Sequence, residues 1–189
     1  MTASVLGTDL TAATGHTAGL PSNGDLFRQA FRNHPSGVGI VTGDPGHDPF
    51  AMTVSSVASV SIGPEILMFS ASALSSSTPK LERTDTVVVH LLSANDIELA
   101  KLGALKGSER FGEHVHWDRL KTGEPVYPGV FAWIRAKVLQ RIPAGGSTLY
   151  VIEALDIRVP DEASPEQPAP LVYHNRTWHA LGPGSSIPQ

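Results

Sequence analysis

AMTVSSVASVSI, residues 51–62, alternates two kinds of side chain. Met52, Val54, Ser56, Ala58, Val60 and Ile62 fall on one side of an extended chain; Thr53, Ser55, Val57, Ser59 and Ser61 fall on the other. Successive side chains of a strand point to opposite faces, so this spacing predicts one long strand with a core face and a hydroxyl face. Working outward, the neighbours are strands too. GVGIVT (37–42) precedes it across the turn-rich GDPGHDP (43–49), and an apolar run over 66–71 follows the Gly63-Pro64 turn. TVVVHLL (86–92) has the unbroken apolar run of a strand covered on both faces. Residues 130–141 alternate again, with Ala132, Ile134, Ala136 and Val138 on one side, and Pro143 to Gly146 turns the chain into a return strand over 149–159. A last short strand is expected over 171–174.

Helices are few. Leu26, Phe27, Ala30 and Phe31 have helical spacing, closed by Pro35-Ser36-Gly37. Thr78-Pro79 predicts a helical turn with Thr78 at the N-cap. Ser93 and Asp96 form a capping box opening a helix whose Ile97, Ala100 and Ala104 share a face. Strands that mostly follow strands predict a mainly β fold, a barrel or sandwich with short peripheral helices, and not a doubly wound sheet. The expected domain spans residues 24–181, between a mobile tail over 1–23 and a C-terminal tail over 182–189; an acidic, Pro-rich loop covers 160–170.

The 189 residues amount to about one domain. With no cysteine, a disulfide framework, a Cys-ligated metal, an iron–sulfur cluster and a thiol nucleophile are excluded, so redox chemistry would need a bound cofactor. A net charge of −4 argues against nucleic acid as a partner. No apolar run is long enough for a membrane span and no secretory pattern opens the chain, so a cytoplasmic protein without membrane contact is expected. Rossmann and Walker loops, the nucleophile elbow and the zincin motif are all missing.

What stands out is local. Nine of the 18 serines fall between Thr53 and Thr78, where Glu65 is the one charged residue. SSSTPK (75–80) reads either as a phosphate site, from hydroxyls, free N–H groups and Lys80, or as a capped helix after a Ser-rich loop. The Thr53/Ser55/Ser59/Ser61 face, with Ser70 and Ser72 nearby, reads either as a groove for a flat polar heterocycle or as a half-exposed strand. His114 and His116 form a surface pair rather than a metal site. His90 lies in an apolar strand as a core histidine or ligand contact, and His174 leaves the last strand two residues before Arg176.

The order of these motifs resembles the flavin reductase-like domain family, the reductase components of two-component flavin monooxygenases. The resemblance is carried by FRQAF (27–31), SGVGIVT (36–42), AMTVSS (51–56), Ser59-Val60-Ser61, Phe69-Ser70, Ser76-Ser77-Thr78, Arg110-Phe111 and LVYH (171–174), and runs from Phe27 to Leu181. It implies a split β-barrel, a homodimer, FAD or FMN as cofactor, NADH or NADPH as hydride donor, and reduced flavin passed to a flavin-dependent monooxygenase. It implies flavin contacts at Met52, Thr53, Val54, Ser55, Ser56, Ser70, Ala71, Ser72, Ser76, Ser77, Thr78, His90 and Phe111. Nicotinamide contacts are implied at Ser147, His174 and Arg176. Three positions depart from the family pattern: Ala51 replaces Gly, His90 replaces Asn, and Gly146-Ser147-Thr148 replaces Gly-Asp-His. A flavin carrier or sensor without reductase activity, and an interaction module binding no flavin, are the alternatives.

Overall fold

The computed structural model describes residues 20–105, 109–160 and 168–188. Most of the expected N-terminal tail and most of the acidic loop lie outside these residues. In chain order the strands are β1 (Ser36–Gly37), β2 (Gly39–Gly43), β3 (Phe50–Val54), β4 (Ala58–Ile62), β5 (Glu65–Ser72), β6 (Thr86–Leu91), β7 (Asp118–Arg119), β8 (Pro125–Val126), β9 (Ala132–Ala144), β10 (Ser147–Arg158), β11 (Leu171–His174) and β12 (Thr177–Ala180). The α-helices are α1 (Asn23–Arg32), α2 (Thr78–Leu81) and α3 (Ile97–Ala104).

Seven strands form one sheet in the order β3-β2-β6-β9-β10-β5-β4. Its two edges, β3 and β4, are consecutive in the chain, so three residues carry the chain from one edge to the other. Only a sheet curled on itself permits that, and the result is a barrel closed by a seam. The long strand expected over 51–62 is therefore two strands, broken at Ser55-Ser56-Val57. Ser56 stitches the break: its hydroxyl donates to the Ser70 carbonyl (3.2 Å) and accepts from the Ser70 N–H (2.9 Å). A side chain thus replaces a ladder partner for backbone groups beyond the end of β4.

The expected core face holds through Met52 and Val54 and then ends. Val60 is 55% exposed and Ile62 87% exposed, because β4 is an edge strand past the seam. Inside the barrel, Val41, Phe50, Met52, Phe69, Val87, Val89, Ala136, Tyr150 and Ile152 pack together, with Leu81 of α2 among them. Phe69 and Tyr150 stack with centroids 5.1 Å apart. A second core forms outside the barrel wall, where Val38, Ile40 and Ala51 meet Ala100, Tyr127 and Leu171. Residues of β2 are buried on both faces for this reason.

The Ser93–Asp96 capping box is present, with Ser93 N–H and Oγ both donating to Asp96 (2.8 and 2.6 Å). The buried face of α3 is Ala100 and Gly103, whereas Ala104 is exposed. The strand over 171–174 is not the last: β12 returns along β11 through a turn at Asn175 and Arg176, which have φ of 48° and 63°. The C-terminal segment also contacts the body, since Leu181, Gly182 and Pro183 border an apolar cavity of about 610 Å³ beside Val38 and Leu92. Among the described residues, no helix is long and apolar enough to cross a membrane.

Candidate functional site

The seam opens onto a cavity of about 530 Å³. One wall is the end of β3 and the linker, Met52 to Ser56; the facing wall comes from Ser70 and Ser72 of β5 with Ser147 of β10. Ser72 and Ser147 are cross-strand partners, which is why residues distant in sequence meet here. Ser75 and Ser76 close one side; Gly103 and Ala104 of α3 and Arg110 close the other. Among the described residues, no Asp or Glu lines it.

The hydroxyls differ in what they can still do. Thr53 donates to the Ala100 carbonyl (2.7 Å), so toward a ligand it can only accept. Ser72 and Ser75 accept from the Leu74 and Ser77 N–H groups (3.2 and 3.3 Å), which leaves each hydroxyl proton free to donate outward. Ser77 and Thr78 are spent on the fold. Ser77 donates to the Ala51 carbonyl (2.9 Å) and Thr78 to the Ser72 carbonyl (2.7 Å), and both are buried. Ser77, not Thr78, caps α2, and its side chain makes no cap bond. Lys80 turns away to pair with Asp48 (2.5 Å).

The cation at the cavity is Arg110. Its Nη1 donates to Ser77 Oγ (3.1 Å) and its Nη2 to the Leu105 carbonyl (2.8 Å), while its Nε is buried without a partner. Burial pulls its pKa down, with Tyr127 opposing, yet a guanidinium stays charged at any working pH. The two Nη bonds go to neutral acceptors, and among the described residues no carboxylate pairs with it. An anion reaching this arginine would find charge-assisted donors beside the free hydroxyls of Ser72 and Ser75.

Three expected contacts lie elsewhere. His90 is fully buried in the second core; its Nδ1 bonds the Ile40 carbonyl (3.1 Å) and its Nε2 accepts the Tyr127 N–H (3.1 Å). That pairing fixes the neutral Nδ1–H form, and desolvation lowers its pKa to about 4 against the ring's hydrogen bonds to the Ile40 and Val88 backbone. Phe111 stacks on Tyr127 (5.9 Å) and meets Trp117 edge-on, away from the cavity that its neighbour Arg110 lines. Ala71 faces the barrel interior. Of the expected nicotinamide contacts, Ser147 is at this cavity and Arg176 is at an adjoining one. His174 lines neither; its ring lies 5.7 Å from that of His179.

The adjoining cavity, of about 920 Å³, shares Ser55, Ser56 and Ser70 with the first, so the seam is the floor between two clefts. Sequence reading missed Arg110 as the site cation, although it stands in the Arg110-Phe111 pair; it also missed Gly103. A glycine within a helix otherwise built of good helix formers was the available signal.

An antiparallel barrel whose seam carries an acid-free, hydroxyl-lined cleft beside an unneutralised arginine is a split barrel equipped for an anionic ligand with a polar edge. A family model described as Flavin reductase like domain matches residues 31–182. The chain belongs to that family. It is 39% identical over 158 residues to the NADH:FMN oxidoreductase of Rhodococcus qingshengii, covering 83% of this chain and 81% of that protein. It is 32% identical over 140 residues to a flavin reductase of Pseudomonas putida, covering 73% and 81%. Among solved structures, a flavin reductase domain protein from Arthrobacter sp. FB24 superposes with a TM-score of 0.77 at 30% identity, covering 84% of this chain and 95% of that one.

Proposed function

We propose that this chain is an NAD(P)H-dependent flavin reductase that takes FMN or FAD and supplies reduced flavin to a separate flavin-dependent monooxygenase. The observation that carries this is the seam cleft itself: free hydroxyls and an unneutralised Arg110 with no carboxylate among the lining residues. When bound, the flavin supplies the hydride acceptor, and the protein supplies position and electrostatics. Arg110, Ser72, Ser75 and Ser76 would hold the phosphate. Met52 to Ser56 would border the ring system, with Thr53 as an acceptor for a ring N–H. Ser147 and Arg176 would serve the nicotinamide co-substrate. The domain over 24–181 would carry all of this.

A homodimeric, cytoplasmic protein is part of the same reading. Leu139, Leu155, Ile157 and Val159, exposed on and just beyond β9 and β10, offer an apolar surface for a second copy.

The test is binding and turnover of the purified protein. Arg110→Met should weaken FMN by about tenfold or more, the loss of one charge-assisted contact, and weaken riboflavin much less. Equal losses for both ligands would remove Arg110 from the phosphate. Bound flavin with oxidation of neither NADH nor NADPH would instead favour a flavin carrier, a reading motivated by Ser147 at the cavity, within the Gly146-Ser147-Thr148 that stands where the family pattern has Gly-Asp-His.

A further inference from the structure

Arg110 belongs to no strand or helix, yet its guanidinium has a defined place at the side of the seam cavity. Ser77 and the Leu105 carbonyl hold the far end of the side chain. The backbone from which it springs is held by Tyr127, the residue after β8. The Tyr127 hydroxyl donates to the Arg110 carbonyl (2.8 Å), and its ring stacks on Phe111 with the two planes 6° apart. One buried side chain therefore grips two consecutive residues.

Tyr127 is itself anchored. Its N–H donates to His90 Nε2 (3.1 Å), and His90 Nδ1–H donates to the Ile40 carbonyl (3.1 Å). Ile40 pairs across strands with His90 on one side and with Thr53 on the other. A chain of contacts thus runs from the cavity wall carrying Thr53, through Ile40, His90 and Tyr127, to the side carrying Arg110. Ile40, His90 and Tyr127 are all buried, and none of the three lines the cavity. His90 stands where the family pattern has Asn. An Asn amide could keep the bond to Ile40 but is too short to offer Tyr127 an acceptor; the imidazole serves both with its two nitrogens.

We propose that Tyr127 is a positioning residue for Arg110, that His90 is its anchor, and that together they set the place of the cationic donor relative to the Thr53 acceptor. The proposal rests on the reading of Arg110 as a phosphate contact, and neither residue touches the ligand. A cation held in advance at its working position loses less freedom when the anion arrives.

Tyr127→Phe removes the hydroxyl and keeps the ring, so the stack on Phe111 survives. Kd and KM for FMN should rise by about three- to tenfold, the loss of one hydrogen bond felt at the ligand, with kcat and the affinity for riboflavin little changed. In Tyr127→Phe/Arg110→Met, FMN should bind no more weakly than in Arg110→Met alone, because the tyrosine acts through the arginine. Equal weakening of FMN and riboflavin, or the full Tyr127→Phe loss on top of Arg110→Met, overturns the proposal. His90→Gln, whose amide can reach the Tyr127 N–H, should keep more of the preference for FMN over riboflavin than His90→Asn; equal losses overturn the part given to His90. A readout without flavin separates failure here from failure of the phosphate reading. In heteronuclear NMR spectra the buried Arg110 Nε–H, assigned by its absence from Arg110→Met, should shift and exchange faster in Tyr127→Phe than in the parent. An unmoved signal overturns the positioning role. A moved signal, with the preference for FMN unchanged in Arg110→Met, upholds the positioning of Arg110 and overturns only its contact with phosphate.

Discussion

Gly103→Ala sets two known effects against each other. Gly103 lies in the last turn of α3 against β3, and a Cβ built there would meet Thr53 Oγ1 at 2.4 Å, the Thr53 backbone nitrogen at 3.2 Å and Ile40 Cδ1 at 3.6 Å. The first distance is impossible, so something moves. If Thr53 rotates, its hydrogen bond to the Ala100 carbonyl is lost, at about 1 kcal/mol. If α3 lifts instead, Ala100 leaves the second core, and overpacking of this kind costs about 1–3 kcal/mol. Against this, alanine gains about 1 kcal/mol over glycine in a helix interior. The clash at least offsets that gain, for a net loss of up to about 2 kcal/mol and a fall in melting temperature of up to roughly 8 °C in a chain of this size. Thermal and urea denaturation read it directly. Thr53→Ala in the same background should relieve part of the loss, giving a favourable coupling in a double-mutant cycle. An increase in melting temperature for Gly103→Ala would refute the close approach of α3 to β3. Because Gly103 and Thr53 both line the seam cavity, flavin affinity should fall along with stability.

Burial holds the His90 pKa at about 4, while the unfolded chain titrates near the ordinary histidine value of 6.5. The unfolded state therefore binds the extra proton between these values. The His90 contribution is fully present above about pH 6.5 and shrinks as pH falls toward 4, by about 2 kcal/mol at pH 5. Urea denaturation of the parent and His90→Asn should show their stability difference narrowing by that amount from pH 7 to 5; a constant difference would refute it. Thr78→Ala should lower the melting temperature and weaken FMN and riboflavin alike, because its hydroxyl bonds the Ser72 carbonyl; selective loss of FMN would return it to the phosphate. The Tyr150 hydroxyl is buried with no partner, so Tyr150→Phe should be neutral or stabilising by about 1 kcal/mol in urea denaturation, and a clear loss would reveal an acceptor.

Much of the secondary structure is local and was legible as such. The alternation over residues 130–141 and the Ser93–Asp96 capping box each involve groups a few residues apart, and each is present; the turn expected over Pro143 to Gly146 is tighter, because Pro143 and Ala144 still pair with Thr148 and Ser147. β12 escaped because its turn uses Asn175 and Arg176 in left-handed geometry without a glycine to announce it. The serine-rich stretch pointed to the site, since Ser55, Ser56, Ser70, Ser72 and Ser76 all line the seam cavity. Their division of labour was not legible. The pattern inverts only at Ser56 and Val57, a serine on the core face and a valine on the hydroxyl face, and one exception per face reads as scatter within a single strand, so the break between β3 and β4 was not legible. It exists because the barrel closes there, and closure depends on Ser56 meeting Ser70.

The site cation shows the same separation. Lys80 adjoins the serines in sequence, but the chain direction through α2 carries it to Asp48; Arg110, beyond α3, arrives beside Ser77. Sequence alone determined that this chain forms a mainly β fold with a hydroxyl-rich stretch and no thiol redox chemistry, because hydrophobic period and residue chemistry are carried by near neighbours; that the sheet closes as a barrel was decided by strand pairing across the chain. Which hydroxyls stay free, which charge faces the ligand, and that His90 is a neutral core residue were decided by tertiary structure, because each depends on a partner supplied by a distant strand or helix.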